Sequence, residues 1–148
     1  MRISSLTTLI IGLLAASLSY AEKPEAFSMG NGENNWIQTA GATRDGKVIT
    51  YPEVHIDGNG WLVMHPFENG APNGDKYVAY TFVESGTSKD VEIEVLKGVE
   101  TGEMFIVMLH RDLNENGVLD FIFIDDTNVQ DRAVFEGPRM IGHAVPAP

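Results

Sequence analysis

The sequence predicts an all-β fold, an immunoglobulin-like β-sandwich of about seven short strands, with a small closed β-barrel as the alternative arrangement. Three observations predict it. Clusters of Gly, Asn, Asp and Pro punctuate the chain at short intervals. The segments between them are β-branched and aromatic, or alternate apolar with polar residues. No segment carries the 3.6-residue apolar period of an amphipathic helix.

Each element follows from local chemistry. Asp45-Gly46 is a turn signal, and 48–51 follows it as a strand. Asp57-Gly58-Asn59-Gly60 is a second hairpin signal, because Asn and Gly tolerate the positive φ of tight turns. It leads into a strand over 61–65. Residues 66–75, rich in Pro, Asn and Gly, form a loop, and the aromatic, β-branched run 77–83 is a strand. A turn at 85–88 precedes Asp90-Val91-Glu92-Ile93-Glu94-Val95, whose period of two buries Val91, Ile93 and Val95 on one face. After a loop at 98–102, residues 104–110 are nearly all apolar, the pattern of a strand covered on both faces. Strands at 120–124 and 141–145 complete the set.

The amino terminus has the three parts of an export signal: a basic Arg2, the apolar run 9–16, and small residues at Ser19 and Ala21. Residues 1–21 are therefore expected to be a signal peptide cleaved after Ala21, with an uncleaved anchor as the alternative. The apolar run is short of the roughly 20 residues a membrane span needs. Residues 22–35, polar and rich in Gly and Asn, are expected as a flexible lead-in, and 36–148 as a single domain. The expected location is periplasmic or extracellular, with no membrane span after cleavage.

Charge and composition narrow the function. The chain has 10 basic and 21 acidic residues, a net charge of −11. Loss of Arg2, the only charged residue in 1–21, takes it to −12. Such a surface disfavours nucleic acid and anionic lipid, and suits divalent cations or a basic partner. With no cysteine, disulfides and thiolate metal centres are excluded. Any metal is held by oxygen, imidazole or thioether.

Two sets of residues could do so. In Asp112-Leu113-Asn114-Glu115-Asn116-Gly117-Val118-Leu119-Asp120, side-chain oxygens alternate at Asp112, Asn114 and Asn116. Gly117 permits a sharp turn, Val118 offers a carbonyl, and Asp120 adds a carboxylate. These match the first nine positions of a calcium loop, where a hard cation gathers six to eight oxygens. The twelfth position is Phe123 rather than Glu, so the last ligand must come from elsewhere, with Asp125, Asp126 and Asp131 as candidates. The competing reading is a hairpin turn whose Asx side chains bond only their own backbone. The second set is soft. Met64-His65 ends one strand, Met108-Leu109-His110 another, and His143 lies on the last. Thioether and imidazole together suit copper, above all Cu(I). Met64 and His65 point to opposite faces, whereas Met108 and His110 share one. A copper site would combine His65 or Met64 with Met108, His110 and His143. The competing reading is core methionines and strand-end histidines.

Catalysis finds little support. There is no G-x-S-x-G elbow, no phosphate loop and no H-E-x-x-H pattern. A small hydrolase is the third and least supported reading.

From Gly60 to Phe121 the order of features resembles an uncharacterised exported domain family common in halophilic archaeal cell-surface proteins. The resemblance rests on three stretches. They are Gly60-Trp61-Leu62-Val63-Met64-His65, the turn and strand from Glu84 to Ile93, and Met108-Leu109-His110-Arg111-Asp112-Leu113-Asn114-Glu115-Asn116-Gly117 closed by Asp120-Phe121. It implies a β-sandwich and export, and draws attention to His65, His110 and the Asp112 loop, but supplies no activity. The sequence thus predicts a non-catalytic exported binding domain with a calcium-like loop at 112–120. The alternative is a copper-binding or redox-partner protein, with any partner among other envelope or secreted proteins.

Overall fold

The computed structural model describes residues 28–96, 98–120 and 131–148. The export signal expected over 1–21, most of the strand expected at 120–124, and the candidate ligands Asp125 and Asp126 lie outside them. The strands are β1 (Ser28–Gly30), β2 (Trp36–Gln38), β3 (Thr43–Asp45), β4 (Val48–Ile56), β5 (Gly60–Glu68), β6 (Ala71–Pro72), β7 (Ala79–Val83), β8 (Gly86–Glu94), β9 (Met104–Arg111), β10 (Phe135–Glu136) and β11 (Arg139–Pro146). No helix occurs among the described residues.

The strands form two sheets. The larger has the order β1-β11-β9-β5-β6, with β7 also on β5 and β10 also on β11. The smaller has the order β2-β4-β3, with β8 also on β4. The sheets join at one edge, where Ala79 bridges Val95 and the Leu96 N–H donates to the Val78 carbonyl at 2.7 Å. The architecture is the predicted all-β sandwich. There are more strands than about seven because β1, β2, β3, β6 and β10 are only two or three residues long. Strands that short carry no readable period.

The core lies between the sheets. Ile49, Tyr51, Val54 and Ile56 of β4 and Val91 and Ile93 of β8 face Leu62 and Met64 of β5 and Phe105, Val107 and Leu109 of β9. The alternation read in 90–95 holds: Val91, Ile93 and Val95 are buried, and Asp90, Glu92 and Glu94 are exposed. The run in β9 is buried on both faces as expected, for Ile106, Met108 and His110 are buried as well. Those three point away from the inter-sheet core, as pleating requires. The larger sheet therefore has a second covered face.

Two expectations change. The 57–60 signal is not a hairpin, because β4 belongs to the smaller sheet and β5 to the larger. It is an arch between sheets, held by side chains distant in sequence. The Asp57 N–H donates to Asn35 Oδ1 at 2.8 Å, and Asn59 Oδ1 accepts from the Ser85 N–H at 2.9 Å. Part of the expected lead-in is also structural: β1 runs parallel to β11, with Met29 beside Met140. The next residues are held by Glu136, whose carboxylate accepts from the Glu33 and Asn34 N–H groups and from Asn35 Nδ2.

Gly60 fixes how the arch enters β5. A Cβ there would collide with the His110 backbone carbonyl and with Ile56 Cδ1. The carbonyl belongs to a buried strand and cannot yield. Gly60→Ala is expected to cost about 2 kcal/mol or more, lowering the melting temperature by roughly 5–10 °C. Thermal unfolding followed by circular dichroism checks this, and an unchanged midpoint would show that β5 and β9 can separate freely.

Candidate metal centre

The β5–β9 register builds the second face. Trp61 lies opposite His110, Val63 opposite Met108, and His65 opposite Ile106. All six side chains share one side of the sheet. Met108 is two residues from His110 on β9 and diagonal to His65 on β5, so it lies between the two histidines. The rings lean together over it, with centroids 5.3 Å apart and Nε2 atoms 3.1 Å apart. Both histidines are 1% exposed.

Backbone carbonyls set the chemistry of the pair. His65 Nδ1 lies 2.7 Å from the Lys76 carbonyl, and His110 Nδ1 lies 2.9 Å from the Asp131 carbonyl. A carbonyl only accepts, so each Nδ1 carries the hydrogen. In the neutral rings each Nε2 then carries a lone pair. Two lone pairs facing at 3.1 Å repel unless a proton or a metal ion lies between them. Anchoring of the far ring nitrogen is the outer-shell arrangement that orients metal-binding histidines.

The anchors are themselves held. Glu68 accepts from Asn73 Nδ2 at 2.7 Å and from Lys76 Nζ at 2.8 Å, folding residues 68–76 over the sheet. Beside β9, the Arg111 N–H donates to the Arg132 carbonyl and the Val134 N–H to the Leu109 carbonyl, both at 2.8 Å. Together with the Ala133–His110 bridge, these bonds carry Asp131 to His110.

Burial lowers the pKa of both rings. His110 falls to about 4, and its carbonyl contact only partly offsets the loss of solvent. His65 is lowered for the same reason, against smaller upward pulls from the Lys76 carbonyl and Asp75. Both imidazoles are therefore neutral at pH 7. They open on a cavity of about 380 Å³, also lined by Met29, Met108, Ile106 and Met140. Met29 and Met140 are neighbours on β1 and β11. The cavity thus gathers three thioethers and two imidazoles in apolar walls.

Of the soft set, the structure brings together His65, Met108 and His110. It leaves out Met64, which faces the inter-sheet core. It also leaves out His143, because His143 lies opposite Val107 in the β11–β9 register and so takes the other face. There its Nε2 lies 2.8 Å from Asn31 Oδ1. Met29 and Met140 were missed by sequence reasoning. Met140 sits two residues before Gly142, the residue opposite Met108, but only the β11–β9 pairing reveals that.

The 112–120 loop is a compact network. The buried Asp112 accepts from the Gly117 N–H at 2.9 Å and the Asn116 N–H at 3.3 Å. Asn116 Oδ1 accepts from the Val118 N–H at 2.8 Å. The side-chain amides of Asn114 and Asn116 donate to Asp120 Oδ2 at 3.0 and 2.7 Å, and these bonds lower the Asp120 pKa. Gly117 takes φ +66°, as the expected turn requires. Asp131 reaches this loop from the far side: its Oδ2 accepts from the Asp120 N–H at 2.7 Å. Burial raises the Asp131 pKa, and the neighbouring Asp112 and Asp120 charges add to the rise. Among the described residues no three His, Asp or Glu side chains converge as metal ligands.

Fold and site together define a class: a two-sheet all-β domain with a buried imidazole pair on the outer face of its larger sheet. The chain belongs to the DUF7282 family, a domain of unknown function whose family model matches residues 35–141. That span holds His65, His110 and the whole 112–120 loop. No curated protein and no solved structure matches the chain.

The lowered pKa values have a consequence for acid stability. Between pH 6.5, the ordinary histidine value, and about 4, the unfolded chain binds a proton that folded His110 refuses. Stability from this residue is complete above pH 6.5 and is lost as pH falls through that window, by up to about 3 kcal/mol. His65 acts in the same direction. Melting temperatures measured with chelator present should fall from pH 7 to 4, and less steeply for His110→Gln. Equal slopes would mean that His110 is not held neutral.

Proposed function

We propose that the protein is an exported metal-binding protein that holds a soft monovalent cation, Cu(I), between His65 and His110 with Met108 as a third ligand. The observation that carries this reading is the pair of buried Nε2 atoms 3.1 Å apart, each on a ring whose Nδ1 is tied to a carbonyl. With metal–nitrogen bonds of about 2.0–2.1 Å, that separation subtends an angle of about 100° at one ion. Two imidazoles so placed can occupy adjacent positions of a three- or four-coordinate centre.

Charge and softness favour copper(I) over zinc. The imidazole and thioether donors are neutral, and the exposed Asp75 is the one charged side chain lining the cavity, so a bound ion has at most one counter-charge in otherwise apolar walls. One charge costs far less there than two. Thioether ligands also select Cu(I). Met29, 41% exposed, lines the same cavity and gives the ion an entry ligand. The proposed role is binding and hand-over rather than catalysis, outside the cytoplasm where residues 1–21 would send the chain.

Anaerobic titration against a chromophoric Cu(I) chelator tests this. One equivalent should bind with a Kd below about 1 μM, corresponding to about −8 kcal/mol. His65→Ala and His110→Ala should each weaken binding at least tenfold, Met108→Leu by a smaller factor, and His143→Ala not at all. Affinity weaker than micromolar, or equal loss from His143→Ala, would remove the assignment.

A further inference from the structure

Three thioethers line the cavity, and they differ in how far solvent reaches them. Met29 is 41% exposed, Met140 is half-buried and Met108 is 6% exposed. The gradient follows from the sheet order. β1 is the outermost strand, so Met29 has Met140 of β11 on one side and no strand on the other. Met108 lies on a central strand, between the two histidines. Two methionines stand outside the cavity. Met64 is fully buried in the inter-sheet core, and Met104, at the far end of β9 from His110, is exposed as much as Met29. An oxidant arriving from solvent therefore meets one cavity sulfur first. The lone pair that makes a thioether a soft metal ligand is also the one that a peroxide consumes.

We propose that Met29 is an oxidation site that controls metal entry: a peroxide converts its thioether to the sulfoxide, which no longer draws Cu(I) into the cavity. The sulfur lone pair attacks one peroxide oxygen, an S–O bond forms and the O–O bond breaks. Sulfur is oxidised and the peroxide reduced. The hydroxide that leaves takes the proton from the new S–OH group and departs as water. The product is polar where the thioether was apolar. At the cavity mouth it sets an S–O dipole beside Met140 and offers a hard oxygen in place of soft sulfur. His65, His110 and Met108 are buried and keep their chemistry. The oxidation itself stands on exposure and position, and its effect on metal entry rests on the Cu(I) reading.

Peptide mass spectrometry of the metal-free protein treated with hydrogen peroxide tests the site. Oxygen should be gained at Met29 and Met104 well before Met140, Met108 or Met64. Cu(I) uptake from a chromophoric chelator, followed by stopped flow, should then slow about tenfold, while the equilibrium affinity changes less than about threefold. Met104→Leu should slow in the same way on oxidation, which assigns the effect to Met29. Met29→Leu should take up Cu(I) at the slow rate both before and after peroxide. Methionine sulfoxide reductase should restore the wild-type rate. Oxidation at Met140 or Met108 as early as at Met29 overturns the proposal, and so does unchanged uptake once Met29 is oxidised. Failure of the untreated protein to bind Cu(I) removes the Cu(I) reading and, with it, the control of metal entry. The mass spectrum, read without copper, tells that outcome from failure of the oxidation site.

Discussion

The antiparallel pairing of β5 with β9 is the constraint on which the rest depends. Its register, with Gly60 beside Arg111 and Pro66 beside Phe105, fixes the facing of both central strands of the larger sheet. One face carries Leu62, Met64, Phe105, Val107 and Leu109 into the sandwich core. The other carries Val63, His65, Met108 and His110. A one-residue slip of either strand would exchange that strand's two sets. It would put that strand's imidazole into the hydrocarbon core and turn its best-packed residues toward the cavity. Packing free energy in the core and positional accuracy in the site are therefore set by the same hydrogen-bond ladder.

Asp131 links that ladder to the neighbouring loop. Its carbonyl orients His110, and its carboxylate accepts from the Asp120 N–H. One residue thus touches the imidazole pair through its backbone and the 112–120 turn through its side chain. On the other side, Glu68 fixes the carbonyl of Lys76 by binding the amine of the same residue. Both histidines are oriented by main chain rather than by carboxylate side chains. An anionic partner at Nδ1 would favour the protonated ring. A carbonyl orients the ring with a weaker pull of that kind, and burial prevails.

Much of this was legible in the sequence where the signal is local. The alternation at 90–95 and the two-sided apolar run at 104–110 are properties of single strands, and period two on β9 paired Met108 with His110. What could not be read is which strands meet. His143 has the right chemistry but the wrong parity, and parity between strands is fixed only by register. Met29 lay in a stretch too polar and short to read as a strand, yet its pairing with Met140 brings both to the cavity. The arch at 57–60 has hairpin composition because composition reports the φ values a turn needs. It does not report whether the flanking strands pair with each other or with different sheets. Of the three candidates for the loop's last ligand, Asp125 and Asp126 lie outside the described residues, and the pairing of residues 131–134 against the end of β9 brings the Asp131 carboxylate to the Asp120 N–H.

The distribution of charge then takes on a physical meaning. The chain has 21 acidic residues, yet Asp75 is the one that lines the cavity of His65 and His110, whose other side-chain heteroatoms are imidazole nitrogen and thioether sulfur. The buried carboxylates, Asp112 and Asp131, lie instead at the neighbouring turn. The acidic exterior still raises the local concentration of any cation by its field. That division is possible only because β9 is buried on both faces, which keeps His110 neutral a few residues from Asp112.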